Sequence, residues 1–474
     1  MLFNSLSFLL FFPVVCIVYF CIPSNKWRNL FLLGASYYFY MCWEPVYALL
    51  LIASTLITYF AAFAIEKYVQ YKKKILLFSV IANLSILFFF KYFNWVAEDI
   101  TYILDQAGLS IHIPEFRVLL PVGISFYTFQ ALGYLIDVYR GDIKAEKNVF
   151  IYALFVSFFP QLVAGPIERS RNLLPQFRNK HSFDGNGAIT GIQLMLWGFF
   201  LKLVIADRFA LYVNEIYDNI GNQDGSSILL ASFFFCFQLY GDFAGYSYVA
   251  IGASRVMGFR LMDNFQRPYF FSTSIQEYWK RNHISLTTWF MDYVYYPMVG
   301  SSINIYWWCF CIFFTFFLSG FWHGANWTYV MSFTIFGFYL VICMLKNKPQ
   351  KRIEKKCHLN NNKLWLWSNR FLTLLLVMIA LVFFRANNIE DGFTVLMRMF
   401  TDLSMVLFTQ MNVQKYNLMI LLMLFVIEYM IEYKKISLVS SYPLLVHICM
   451  SLFLIFAIFL LGVFEGEQFI YFQF

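Results

Sequence analysis

About twelve stretches of this chain are apolar for long enough to cross a lipid bilayer, and few soluble folds could hide them. They run roughly over 5–22, 28–42, 46–65, 75–93, 118–138, 187–206, 228–251, 303–322, 326–345, 367–385, 416–431 and 443–464. A helix needs about 20 apolar residues to span the hydrocarbon. Composition points the same way: of 474 residues, 60% are hydrophobic, 22% aromatic and only 13% charged. An ordinary soluble domain is about 45–50% apolar and about 25% charged. The predicted class is an all-α polytopic membrane protein with about 11–12 transmembrane helices plus re-entrant and interfacial helices, forming one domain over 1–474. The run 5–22 lacks a basic leader and a small-residue cleavage site, so a retained first helix is expected rather than a signal peptide.

The net charge of +8 is carried by Lys and Arg grouped in short loops. With no long basic soluble segment, nucleic-acid binding is excluded, and basic loops instead mark the cytoplasmic side. Lys72, Lys73 and Lys74 follow the third span, which puts Lys26 and Arg28 inside and the N-terminus outside. The loop 94–117 then falls outside, with Glu98, Asp99, Asp105 and Glu115 against Arg117. Arg140, Lys144 and Lys147 return inside, as do Arg255, Arg260, Arg267, Lys280, Arg281 and the basic loop Lys346 to Lys356. An apolar run at 149–165 breaks the alternation, because Arg169, Arg171, Arg178 and Lys180 beyond it also look cytoplasmic. A re-entrant segment interrupted by Pro160, Gly165 and Pro166 resolves the conflict, and such backbone is tolerated only against protein or a water-filled cavity.

Ionisable residues at depth are costly and are functional candidates by default. Among six His, His112, His181 and His358 lie in polar loops and are expected to be solvated; His447 is expected to pack within the last span. His323 ends a long apolar helix between Trp322 and Gly324, with Asn326 and Trp327 beyond. A neutral imidazole there can take a proton from a hydroxyl, since its pKa lies near working pH. His283 sits in an amphipathic stretch, Gln276 to Phe290, expected in the interface or entering partway. Beside it, Lys280 and Arg281 can meet phosphates of a donor or of lipid headgroups. On charge alone the two His fall on opposite sides of whatever separates the compartments. Asp242 lies inside a span and must be paired or neutral; orienting a His, binding Arg255, and packing helices are all open to it. Asp137, Lys202 and Arg385 are expected to be structural or snorkelling. Nine Cys are scattered as small apolar fillers, with no spacing for a zinc site, and no metal is expected.

The segments Pro121 to Gln130, Phe159 to Ile167, Tyr240 to Ser247, Gln276 to Phe290 and Trp322 to Ala325, in this order, resemble the membrane-bound O-acyltransferase family. More narrowly, they resemble its bacterial branch that acetylates alginate and other cell-surface polysaccharides. Asn282 stands where that family usually has Trp. The resemblance implies helices around a central funnel in the bacterial plasma membrane, with His323 catalytic and His283 lining the cytoplasmic approach. Lys280, Arg281, Asn282, Trp322, Asn326 and Asp242 become candidate donor- or substrate-binding residues. It implies no bound cofactor: acetyl-CoA or another acyl thioester is the donor substrate. The implied partners are a polysaccharide acceptor, membrane lipids and an extracytoplasmic acetyltransferase. Two alternatives stand beside it, D-alanyl transfer to teichoic acid from a carrier-protein thioester, and a non-catalytic polysaccharide or lipid exporter.

Overall fold

Nine of the expected spans form helices of 18 residues or more that are apolar enough to cross a membrane, counted among the described residues. The computed structural model describes residues 1–474 except 110, 112, 115, 117, 118, 164, 267, 268, 357, 358, 360, 361, 404, 405, 435–441, 465–468 and 470–474. His112, Glu115, Arg117, Arg267 and His358, to which the sequence assigns loops and sides, lie outside the described residues. The other three expected spans are shorter helices, Leu6–Cys21, Asn25–Met41 and Ile124–Arg140. The last starts later than its apolar run because Pro121 and the left-handed Gly123 precede it. No β-strand occurs among the described residues, as expected for a chain whose backbone polar groups must be satisfied within each segment.

The chain divides into two compact units, each described by itself. The first comprises Met1–Met195 and Ser247–Met262. In it the apolar run at 149–165 is broken into the helices Val149–Ser157 and Phe159–Leu162. Nine residues rise only about 14 Å, too little to cross. Side chains meet the backbone polar groups freed at the break. Phe159 N–H donates to Ser36 Oγ at 3.1 Å. Gln130 Nε2 donates to the Phe155 carbonyl at 2.6 Å, and Gln161 Nε2 donates to Gln130 Oε1 at 2.6 Å. His181, expected to be solvated, is instead packed on Phe259 with ring centroids 4.5 Å apart, and its backbone carbonyl accepts from Arg28.

The second unit comprises Leu196–Tyr246 and Asp263–Ile470. Its helices Ile305–His323 and Trp327–Lys356 form a tight hairpin, because Gly320 has no side chain to hold them apart. A Cβ there would lie 2.7 Å from Val330 Cα. The amphipathic stretch expected at the interface is two seven-residue helices, Ile275–Arg281 and Ile284–Phe290. A π-helical turn, Met291–Tyr295, follows them, and a second occupies Leu201–Ala206. His447 is buried on the helix Leu444–Leu461, as expected of a packed residue.

Candidate active site

His323 and His283 face each other within the second unit, their ring centroids 6.3 Å apart and both side chains buried. The expectation that they lie across a barrier from one another is therefore corrected. Loop charge sorts the chain by side, but it carries no information on how deep a short helix pair enters. His323 closes the helix Ile305–His323, and its ring stacks on Phe333 at 4.2 Å and meets the edge of Phe384 at 5.7 Å. Trp322 is buried beside both, 4.9 Å from the His323 ring and 5.8 Å from that of His283. Phe243 presents its ring edge-on to His283 at 4.4 Å. The imidazoles thus sit in a cage of aromatic carbon that limits water.

His283 precedes the helix Ile284–Phe290 with φ 45° and ψ 52°, the one positive φ among described non-glycine residues. Asn264 holds it there. The Asn264 carbonyl accepts from Ile284 N–H at 2.9 Å, and its Oδ1 accepts from Ser285 N–H at 3.2 Å and Ser285 Oγ at 2.8 Å. A backbone N–H can only donate, so the amide orientation is settled by the network. His283 Nδ1, 3.2 Å from the same Oδ1, must therefore carry the proton it donates, which leaves Nε2 as the basic nitrogen. Burial pushes the His283 pKa well below the ordinary imidazole value, so this ring is neutral at neutral pH.

The other expected site residues divide. Trp322 joins the two His. Arg281 is taken up by carboxylates, Glu277 at 2.5 Å and Glu432 at 3.4 Å, which leaves it poorly placed to meet a phosphate. Asn282 Nδ2 donates to Tyr278 Oη at 3.1 Å. Asn326 caps the helix that starts at Trp327, its Oδ1 accepting from Thr328 N–H at 3.0 Å, while its Nδ2 donates to the Asn387 carbonyl at 3.1 Å. That capping pattern, Asn just before an apolar run, was readable in the sequence. Lys280 is exposed and has no ion-pair partner among the described residues; it lines a groove beside Trp279.

Asp242 is paired, as a carboxylate inside a span must be: its Oδ1 is 2.6 Å from Lys202 Nζ. Lys202 also meets Asp207 at 2.7 Å and lies under the Tyr246 ring at 5.7 Å. With only 4% of its side chain exposed, Lys202 is buried rather than snorkelling. Gly245 lets the helices carrying this cluster approach, since a Cβ there would lie 2.7 Å from the Gly198 carbonyl. Among the described residues no cluster of three His, Cys, Asp or Glu could hold a metal ion.

Comparison with known proteins places this geometry in a lineage. The profile of the membrane-bound O-acyltransferase family matches residues 146–384, which contain both His and the Lys202 cluster. A relative described as a probable alginate O-acetylase, from Pseudomonas aeruginosa, is 36% identical over 406 residues, covering 85% of this chain and 75% of its own. The peptidoglycan O-acetyltransferase of Helicobacter pylori is 32% identical over 429 residues, 84% of this chain and 79% of its own. The teichoic acid D-alanyltransferase of Bacillus subtilis is 27% identical over 353 residues, 70% of this chain and 82% of its own. Its helices, its buried histidine pair and these relatives lead to one conclusion: the chain belongs to the membrane-bound O-acyltransferase family and is a multi-pass membrane acyltransferase.

Proposed function

We propose that this acyltransferase moves an acetyl group from a cytoplasmic thioester to a hydroxyl on the far side of the bacterial plasma membrane. The hydroxyl belongs to a cell-surface polysaccharide or to a partner acetyltransferase that delivers the group onward. The observation that carries this reading is the buried pair, two imidazoles 6.3 Å apart inside one aromatic cage. Relatives named for acetyl transfer to alginate and to peptidoglycan support the acyl group and the polymeric acceptor. Family membership as an acyltransferase replaces the exporter alternative.

In this mechanism His323 is the general base. It takes the proton of the acceptor hydroxyl as that oxygen attacks the thioester carbonyl, and the C–S bond breaks to release thiolate. The thiolate leaves protonated, using the proton held by His323. His283, its Nδ1–H committed to Asn264, keeps Nε2 as its basic nitrogen and orients the donor on the cytoplasmic approach. Trp322 and Phe333 keep water from the thioester, which hydrolysis would otherwise waste. The whole chain, 1–474, acts as the functional domain.

General acid–base groups contribute about 10²–10⁴-fold to rate, so His323→Ala should cut acyl transfer by about that factor. The test is mass analysis of base-released esters from the surface glycans of a deletion strain carrying wild type or His323→Ala. Wild-type acetate levels with the variant would refute the role of His323. D-alanine in place of acetate would move the chain to the teichoic acid reading.

A further inference from the structure

A groove of about 390 Å³ opens between the short helices 275–281 and 284–290 and the hairpin of the second unit. The hairpin side of its lining is apolar: Ile312 and Phe316 from one helix, Leu340 and Met344 from the other. Both hairpin helices are long and apolar enough to span a membrane, so the solvent that reaches these side chains is hydrocarbon. Lys280, an exposed residue, belongs to the same lining. Its neighbour Arg281 is neutralised by two carboxylates, whereas Lys280 is exposed with no ion-pair partner among the described residues. An apolar groove whose lining includes one exposed, unneutralised cation is complementary to a molecule with a hydrocarbon body and an anionic head.

We propose that this groove binds an anionic phospholipid, with one acyl chain along Phe316 and Leu340 and the headgroup phosphate at Lys280. The volume lies at the lower end of the about 300–1,000 Å³ usual for ligand sites, which suits a single chain. The cytoplasmic leaflet, where loop charge puts Lys280, is the leaflet rich in anionic lipid. Occupancy also has a structural consequence. Trp279 forms the groove's wall, 5.0 Å from Phe316 and 5.5 Å from Phe333, and Phe333 stacks on His323 at 4.2 Å. The lipid chain therefore buttresses the ring layer that contacts the catalytic candidate. This assigns the anion at Lys280 to lipid rather than to the acyl donor, and it does not depend on the acyl-transfer reading.

The full chain, reconstituted in nanodiscs, should be photolabelled with matched diazirine-bearing phosphatidylglycerol and phosphatidylcholine, and the labelled peptides identified by mass spectrometry. Labelling around Trp279 and Met344 should favour phosphatidylglycerol about fivefold, the preference worth one lysine near a membrane surface. Lys280→Gln, at an exposed site, should remove that preference while leaving labelling itself. Thr288→Trp and Met344→Trp, which fill the groove from two different helices, should each abolish labelling by both lipids. Equal labelling by the two lipids, or labelling that survives both Trp variants, overturns the proposal.

Discussion

In the first unit, buried charge is met at the ends of helices and in the loops that join them. Arg28 donates Nε to the Ile22 carbonyl at 2.6 Å and reaches those of Phe20 and His181. Glu168 accepts from Asn172 Nδ2 at 2.7 Å and from Met262 N–H, and Glu146 pairs with Arg178 at 2.5 Å. In the second unit, charge is met along the sides of long apolar helices: Lys202 with Asp207 and Asp242, and Glu428 with Tyr240 Oη at 2.9 Å. The first pattern staples loops and leaves the apolar helix faces alone. The second puts charge within long apolar helices, where side chains of neighbouring segments answer it, and this unit also holds the two His. The comparison teaches that the second unit commits its polar groups to mutual positioning, so its charges should be far less replaceable.

Lys202→Met offers the strongest test of that difference. Removing the cation leaves two buried carboxylates to share the site, and breaking such a pair costs about 3–5 kcal/mol. Thermal unfolding of the purified protein should show a large loss of stability, and an unchanged midpoint would erase the contrast between the units.

The next effect belongs to the first unit and depends on pH. Burial raises the Glu168 pKa from its ordinary 4.5 to about 7, equivalent to about 3 kcal/mol. Between those values the folded carboxyl keeps a proton that the unfolded chain releases. The resulting stability is full below 4.5 and is lost as pH rises through about 7. Glu168→Gln should flatten this decline in unfolding midpoint across pH 5 to 7.5; the same slope in wild type and variant would remove Glu168 from the account.

Two glycine substitutions sharpen the contrast at lower cost. Gly245→Ala drives a Cβ to 2.7 Å from the Gly198 carbonyl and 3.0 Å from Lys202 N, backbone atoms that cannot swing aside. Overpacking of this kind costs about 1–3 kcal/mol, and it should weaken the second unit measurably. Gly34→Ala in the first unit meets nothing within 4 Å. On a helix interior it should stabilise slightly, by up to about 1 kcal/mol, and denaturation that favours Gly34 would contradict this.

The positions of the long helices and of His323 were legible in the sequence because both rest on local signals: an apolar run of membrane length, and an ionisable group that ends one. The partners of the charges were not. Lys202 and Asp242 are 40 residues apart and Arg281 and Glu432 are 151 apart, and neither separation leaves a periodic trace. The sequence leaves Lys202 open to a structural or a snorkelling role, because hydropathy sees the span but not the carboxylates facing it. The closeness of His283 to His323 was hidden for a related reason. Loop charge reports which side a segment starts from, whereas depth is set by packing of Phe243, Trp322 and Asn264 around the ring.

The left-handed backbone at His283 limits which residues can stand in for it. A φ of 45° is adopted readily by glycine, sometimes by asparagine or aspartate, and reluctantly by alanine. An alanine replacement would thus remove a ring and strain a hinge at once, and a loss of activity would not say which mattered. Asparagine and glycine both tolerate the bend without offering an imidazole. Paired as His283→Asn and His283→Gly, they would separate the chemistry of the nitrogen from the mechanics of the turn.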